Sequence, residues 1–213
     1  MAANETFFVA GPSGRLEALL ILPATPAVAA AVVCHAHPQF GGMMHFKVVF
    51  RAAKALQHHG IAALRFNFRG VGLSEGTHDD GRGEQDDARA ALDEMARRFP
   101  TLPLVIGGFS FGSAMALAVA AVDPRVRAAF ALGYPIMRVT DTSHLSGLRV
   151  PRLFVQGEHD AFGSAAAIES LVASLPEPKE LHVIPGSDHF FDGHLEALQS
   201  WIEAWASRRP WDT

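Results

Sequence analysis

The chain has 213 residues and a mass of 22.9 kDa; 49% of its residues are hydrophobic and 19% are charged. This composition excludes a disordered chain, and the length fits one domain over residues 1–213. With 18 Lys and Arg against 22 Asp and Glu, the net charge is −4, and without a basic face we expect no nucleic-acid partner. The single cysteine, Cys34, excludes an internal disulfide and a cysteine-based zinc cluster.

The sequence predicts neither export nor insertion into a membrane. The N-terminus lacks a basic stretch followed by a long apolar one, so we expect no signal peptide. The longest apolar run, residues 27–34, is far shorter than the ~20 residues that span a bilayer. Together with the single cysteine, these features predict a cytoplasmic protein without a membrane partner, either a monomer or a homodimer.

The predicted elements begin with a hairpin and continue as alternating strands and helices. Residues 6–10 and 16–22 are apolar runs on either side of Gly11-Pro12-Ser13-Gly14, a turn that indicates a β-hairpin. Further strands are predicted over residues 28–34, 61–66, 102–106, 126–132, 150–156 and 181–184. Helices are predicted over residues 44–59, 83–99, 111–122, 164–175 and 193–206.

This alternation predicts an α/β fold: a mostly parallel, twisted sheet of about eight strands, with the hairpin antiparallel and helices on both faces. Such sheets bind ligands beyond the carboxyl ends of their strands, so functional side chains are expected just after each strand. Between the predicted strands 126–132 and 150–156, residues 133–149 are too few to build a cap domain. We therefore expect a largely open site.

The turn Gly108-Phe109-Ser110-Phe111-Gly112 connects a predicted apolar strand directly to a predicted helix. A G-x-S-x-G sequence in this setting is typical of a nucleophilic serine on a sharp turn. Glycines on both sides leave room for the turn, which lifts the serine hydroxyl above the sheet. The motif therefore predicts Ser110 as the catalytic nucleophile.

A serine of ordinary pKa needs a general base, and the base needs an acid to orient it. Asp160 and His189 both follow predicted strands, and the same edge of the sheet carries Ser110. The chain order Ser, Asp, His is the one expected for this architecture. We predict Asp160 as the acid and His189 as the base.

Neighbouring residues leave alternatives for both partners. Glu158 is a second candidate acid, and Asp188 ranks lower because side chains adjacent in sequence diverge. His159 and His194 are less favoured as bases, because the first lies beside the acid and the second in a helix start.

The loop after the first predicted parallel strand is expected to complete the site. An acyl-transfer site needs two backbone N–H groups that donate to the developing oxyanion, and together they form the oxyanion hole. We predict the N–H of Phe111, after the serine, and the N–H of His37, in this loop, as the two donors. The N–H groups of Gln39 and Phe40 remain alternatives. His35 and His37 could instead suggest a metal site, but no carboxylate follows at ligand spacing, so we predict no metal and no cofactor.

Apolar side chains after the strands are candidates to bind a small-molecule substrate. The candidates are Phe40, Met43, Tyr134, Phe162 and Phe190. The alternative is that some of these aromatic residues belong to the core, Phe190 and the nearby Phe109 foremost.

Three motifs together carry a family resemblance. They read H-P-Q-F-G-G at residues 37–42, R-F-N-F-R-G-V-G-L-S at residues 65–74 and G-F-S-F-G at residues 108–112. The chain resembles the α/β-hydrolase superfamily over nearly its whole length, and most closely its small, lidless bacterial serine hydrolases. Relatives often have Pro between the two histidines where this chain has Ala36, a difference that bears on the oxyanion loop.

The resemblance implies an α/β-hydrolase fold without a large cap domain, a triad of Ser110, Asp160 and His189, and carboxylesterase-like activity. The superfamily hosts several chemistries, so an exopeptidase, an amidase and a thioesterase with the same triad remain alternatives. A non-catalytic binding module of the same fold is a further alternative, although it would not need all three residues.

Overall fold

The structure, a computed structural model, describes residues 4–212 and is built on one eight-stranded sheet. The strands are β1 (Asn4–Gly11), β2 (Gly14–Ile21), β3 (Ala29–Cys34), β4 (Ile61–Phe66), β5 (Leu104–Phe109), β6 (Val126–Leu132), β7 (Arg152–Gly157) and β8 (Lys179–Ile184). The helices are α1 (Lys47–His58), α2 (Arg82–Arg98), α3 (Phe111–Ala120), α4 (Ala165–Ser174) and α5 (Leu195–Ser207).

The strands lie in the order β1-β2-β4-β3-β5-β6-β7-β8. β1 pairs antiparallel with β2 and β2 antiparallel with β4, whereas every other neighbouring pair is parallel. The predicted fold class is therefore confirmed, including the antiparallel N-terminal hairpin. The carboxyl ends of β5, β7 and β8 consequently lie at one edge of the sheet.

The core forms two layers, one on each face of the sheet. One layer includes apolar side chains of α2, α3 and α4, and the other those of α1 and α5. All six residues of each strand from β3 to β5 are buried, as expected for parallel strands covered on both faces. Cys34 is one of these core residues, and burial raises the pKa of its thiol.

The first helix begins later than predicted. Helical spacing predicts a start at residue 44, but α1 begins at Lys47. The side chain of Asn67 accepts a hydrogen bond from the Met44 N–H (2.8 Å), and Arg65 donates one to the Met44 carbonyl (2.9 Å). These long-range partners hold both backbone groups of Met44 outside the helix.

The segment between β6 and β7 is short and irregular. It contains only the 3-10 turn Ser143–Gly147 between Leu132 and Arg152, so no cap domain covers the carboxyl ends of the strands.

Among residues 4–212, no helix has the length and apolar character needed to cross a membrane.

Candidate active site

Ser110 lies in the turn between β5 and α3, in a backbone conformation that non-glycine residues rarely adopt (φ 54°, ψ −124°). The chain is tightly folded around it. A Cβ atom on Gly108 would lie 2.6 Å from the carbonyl oxygen of Gly112, and one on Gly112 would lie 2.6 Å from that of Cys34. Both glycines are thus required for the close approach of α3 to β5 and β3.

The structure brings Ser110, His189 and Asp160 into one hydrogen-bonded chain. Nε2 of His189 lies 2.9 Å from Oγ of Ser110, and its Nδ1 lies 2.7 Å from Oδ2 of Asp160. Only 5% of His189 and 3% of Asp160 is exposed. With Nδ1–H donating to Asp160, Nε2 carries the lone pair that can accept the serine proton.

The carboxylate of Asp160 is held by four hydrogen bonds. Besides His189, its oxygens accept bonds from the N–H groups of Phe162 (2.8 Å) and Gly163 (3.1 Å) and from Nε2 of Gln156 (2.8 Å). Sequence reasoning missed Gln156, a fully buried amide on β7. Its only sequence signal is a polar residue inside an apolar strand, four positions before the acid.

Backbone contacts join the two turns that carry Asp160 and His189. The N–H of Glu158 donates to the carbonyl of Ile184 (3.1 Å), and that of His159 donates to the carbonyl of Ser187 (2.8 Å). A Cβ on Gly157 would overlap the carbonyl oxygens of the second turn, so glycine at this position permits the close approach.

The alternative acids and bases have other partners. Glu158 accepts a hydrogen bond from the N–H of Gly186 (2.7 Å), and Asp188 accepts bonds from two N–H groups of its own turn. His159 is exposed, and the ring of His194 bonds to the carbonyl of Asp192 (2.9 Å). None of these four side chains contacts Ser110 through a hydrogen bond within the described residues.

The loop after β3 leaves one of the considered donors available. The N–H of Gln39 donates to Nδ1 of His37 (3.3 Å), and the N–H of Phe40 donates to the carbonyl of His37 (3.1 Å). Within residues 4–212, no acceptor pairs with the N–H of His37 or of Phe111, the first residue of α3. The rings of these two residues lie 4.9 Å apart.

His35 is a buried structural residue. Its Nε2 accepts a hydrogen bond from the N–H of Phe68 (3.0 Å), and its Nδ1 lies 2.6 Å from the carbonyl oxygen of Ala36. Burial lowers the pKa of His35 to about 4 and also lowers that of His37 below its ordinary value. Both ring nitrogens of His35 are engaged, and the described part of the chain places no three His, Cys, Asp or Glu side chains together for a metal ion.

The candidate substrate contacts divide into three groups. The rings of Phe162 and Phe190 lie 4.7 and 5.3 Å from that of His189, at the candidate site. Phe40 (83% exposed) and Met43 (44% exposed) lie on the loop after β3. Tyr134 requires a correction, because it is fully buried and packs on Phe154, and so presents no surface to a substrate.

Of the two phenylalanines considered for the core, only one is buried. Phe109 is fully buried beneath the ring of His189, at 5.1 Å. Phe190 is 43% exposed and is therefore available at the surface.

The sequence is similar to a known family of domains and to a bacterial relative. Residues 29–207 match the family model described as an alpha/beta hydrolase domain. The chain is 36% identical over 189 residues to an uncharacterized protein of Rickettsia prowazekii, covering 85% of this chain and 79% of that protein.

Two solved structures share the fold closely. An alpha-beta serine hydrolase homologue from Coxiella burnetii is 34% identical, with a TM-score of 0.88 over 94% of this chain and 96% of that one. A serine hydrolase without a lid from Xanthomonas campestris is 33% identical, with a TM-score of 0.88 over 97% and 94% of the two chains.

Proposed function

Because this chain belongs to the alpha/beta hydrolase domain family, we propose that it is a serine hydrolase that cleaves carboxylic esters through an acyl-enzyme. The observation that carries the proposal is the chain of two hydrogen bonds from Ser110 through His189 to Asp160, with lengths of 2.9 and 2.7 Å. This is the arrangement that activates a serine hydroxyl at neutral pH.

In the proposed mechanism, Nε2 of His189 takes the proton of Ser110 as Oγ attacks the ester carbonyl. Asp160 holds the imidazole in the required tautomer and stabilises its positive charge. The N–H groups of His37 and Phe111 donate to the oxyanion, and each such donor contributes about 3 kcal/mol to the transition state. The tetrahedral intermediate expels the alcohol, which receives the proton from His189.

The second half of the reaction repeats the first with water as the nucleophile. His189 accepts a proton from water, whose oxygen attacks the acyl-Ser110 carbonyl. The new tetrahedral intermediate releases the carboxylic acid, and Ser110 recovers its proton from His189. All groups required for both steps belong to this chain, so we propose that the reaction survives chelation by EDTA.

Labelling by a fluorophosphonate probe tests the nucleophile. Wild-type protein should be labelled and Ser110→Ala should not, because no other group in the turn can form the covalent bond. Ser200→Ala, on the exposed face of α5, is the matched control and should be labelled like wild type. Near-wild-type turnover by Ser110→Ala would refute the assignment, and absence of wild-type labelling would favour a binding module.

A substrate panel separates the ester proposal from its alternatives. We propose p-nitrophenyl esters of graded length, aminoacyl-anilides and acyl thioesters, compared by kcat/KM. Esters should be the best substrates. Faster cleavage of the anilides would instead support an exopeptidase or amidase, and faster cleavage of the thioesters a thioesterase.

We propose the cytoplasm as the location of the protein, which fractionation of the native cell would test.

A further inference from the structure

A positively charged side chain lies one aromatic ring away from the catalytic imidazole. The guanidinium carbon of Arg138, an exposed residue after β6, lies 5.7 Å from the centre of the Phe162 ring. The Phe162 ring in turn meets the ring of His189 edge-on at 4.7 Å. The same ring, that of Phe162, therefore contacts both Arg138 and His189.

The backbone fixes this wall in place. The N–H of Met137 donates to the carbonyl of Phe162 (3.0 Å), and that of Arg138 donates to the carbonyl of Pro135 (2.8 Å). The N–H of Phe162 donates to Asp160 (2.8 Å), the carboxylate that also holds His189. The segment that carries Arg138 is thus bound to Phe162, and Phe162 is bound to the carboxylate that also holds His189.

The guanidinium of Arg138 has no carboxylate partner in the described part of the chain. Other arginines of this protein do, as Arg69 does with Asp87, Arg125 with Asp123 and Arg208 with Glu180. On a chain of net charge −4, an unpaired guanidinium at the mouth of the site creates a local preference for an anion.

We propose that Arg138 recognises a carboxylate on the substrate, so that the enzyme favours esters whose acyl part ends in a carboxylate. A guanidinium binds a carboxylate through two parallel N–H donors, and the face of Phe162 would support the methylene linker. This inference rests on the proposed ester hydrolysis and adds a substrate class to it.

The test compares each anionic ester with its neutral counterpart. The substrates are the mono-p-nitrophenyl esters of succinic, adipic and suberic acid, and the same compounds with the free carboxylate methylated. The measured quantity is the ratio of kcat/KM for the anionic over the neutral ester at low salt. The two esters of a pair undergo the same reaction, so a loss of general activity lowers both values of kcat/KM equally and does not alter the ratio. Only an effect on the recognition of the charge changes it.

Arg138→Gln should lower this ratio about tenfold for the linker that fits, mainly through KM, because a charge-assisted hydrogen bond is lost. Arg138→Lys should retain part of the preference as a point charge. The matched control is Arg149→Gln, which removes an equal charge from an exposed residue whose side chain bonds to the carbonyl of Ser146 (2.7 Å).

A ratio unchanged in Arg138→Gln for all three linkers would overturn the inference, as would an equal fall in Arg149→Gln. If the wild type cleaves neither kind of ester, the proposed function fails. Calorimetric binding of adipate to wild type and Arg138→Gln then decides the inference separately. Equal affinity would overturn it, and weaker binding by the variant would support it.

Discussion

At the scale of single residues, the hydroxyl of Ser110 is positioned by a strained backbone. A non-glycine residue at φ 54° and ψ −124° costs of order 1–3 kcal/mol. Its N–H donates to the carbonyl of Leu132 (2.9 Å), and its carbonyl accepts a bond from Oγ of Ser113 (2.6 Å). These bonds offset the strain and keep the hydroxyl pointed at His189.

The hydrogen bond between Asp160 and His189 leads to a graded prediction. Asp160→Asn should lower kcat by about 10⁴-fold, because an amide favours the wrong imidazole tautomer. Asp188→Asn and Glu158→Gln should change kcat less than about threefold, since neither side chain bonds to His189. Steady-state kinetics of the three variants provides the measurement. A larger loss from either control would show that its carboxylate, and not that of Asp160, is the acid that acts with His189.

The side-chain amide of Gln156 donates a hydrogen bond to the carboxylate of Asp160. Gln156→Leu removes one of the four donors to the carboxylate and leaves the buried N–H of Tyr134 without its acceptor (2.9 Å). The free energy of unfolding should fall by about 2 kcal/mol, and kcat should fall as well. Urea denaturation and kinetics check both effects. Gln199→Leu on α5 is the control, and a similar kcat loss there would contradict the role of Gln156.

At the scale of elements, the loop between β3 and α1 is bonded to β4 and to the residues that follow β4. Arg65 and Asn67 bind the backbone of Met44, and the ring of His35 bonds to the N–H of Phe68. These bonds fix the loop that presents the N–H of His37. Its geometry therefore depends on the packing of β3 against β4.

Burial of His35 predicts a pH-dependent stability. Its pKa is about 4 in the folded protein and near 6.5 when unfolded, so below pH 6.5 the unfolded chain binds more protons. The stabilisation is complete above pH 6.5 and disappears as the pH falls to about 4, a loss of about 3 kcal/mol.

Urea denaturation between pH 4 and 7 measures this dependence. In His35→Gln, the amide oxygen can still accept from Phe68 without titrating, so the slope of stability against pH should be shallower than in wild type. An unchanged slope would show that other groups cause the acid sensitivity.

Features of the fold and the site that depend on residues close together in the sequence could be predicted, whereas those that depend on contacts between distant parts of the chain could not. The turn at Ser110 has a local signature, and parallel pairing brings the residues after β7 and β8 to one edge. The buried amide of Gln156 has no such signature. Burial of Tyr134 depends on Phe154 of a neighbouring strand, and the late start of α1 depends on Asn67; neither is visible in local spacing.

At the scale of the whole molecule, the absence of a cap between β6 and β7 would limit the acyl group that the proposed enzyme can hold. A long acyl chain would leave much of its apolar surface in water, so further methylenes, worth ~0.8 kcal/mol each when fully buried, would add little binding. Exposed Phe40 and Met43 offer only partial cover.

We therefore expect a preference for short acyl chains. In a series of neutral p-nitrophenyl esters from acetate to palmitate, kcat/KM should fall beyond a few carbons. The same series measured below the critical micelle concentration of each ester controls for substrate aggregation. An optimum at long chains would refute the prediction and point to a larger apolar surface.

In the proposed reaction, the open edge of the sheet would also determine the fate of the acyl group after the first step. With no cap to select what approaches the proposed acyl-serine, any small hydroxyl compound in solution would compete with water on the basis of its concentration and nucleophilicity alone. The protein would then act as an acyl transferase whenever short alcohols are abundant, and its products would reflect the surrounding medium as much as its own residues.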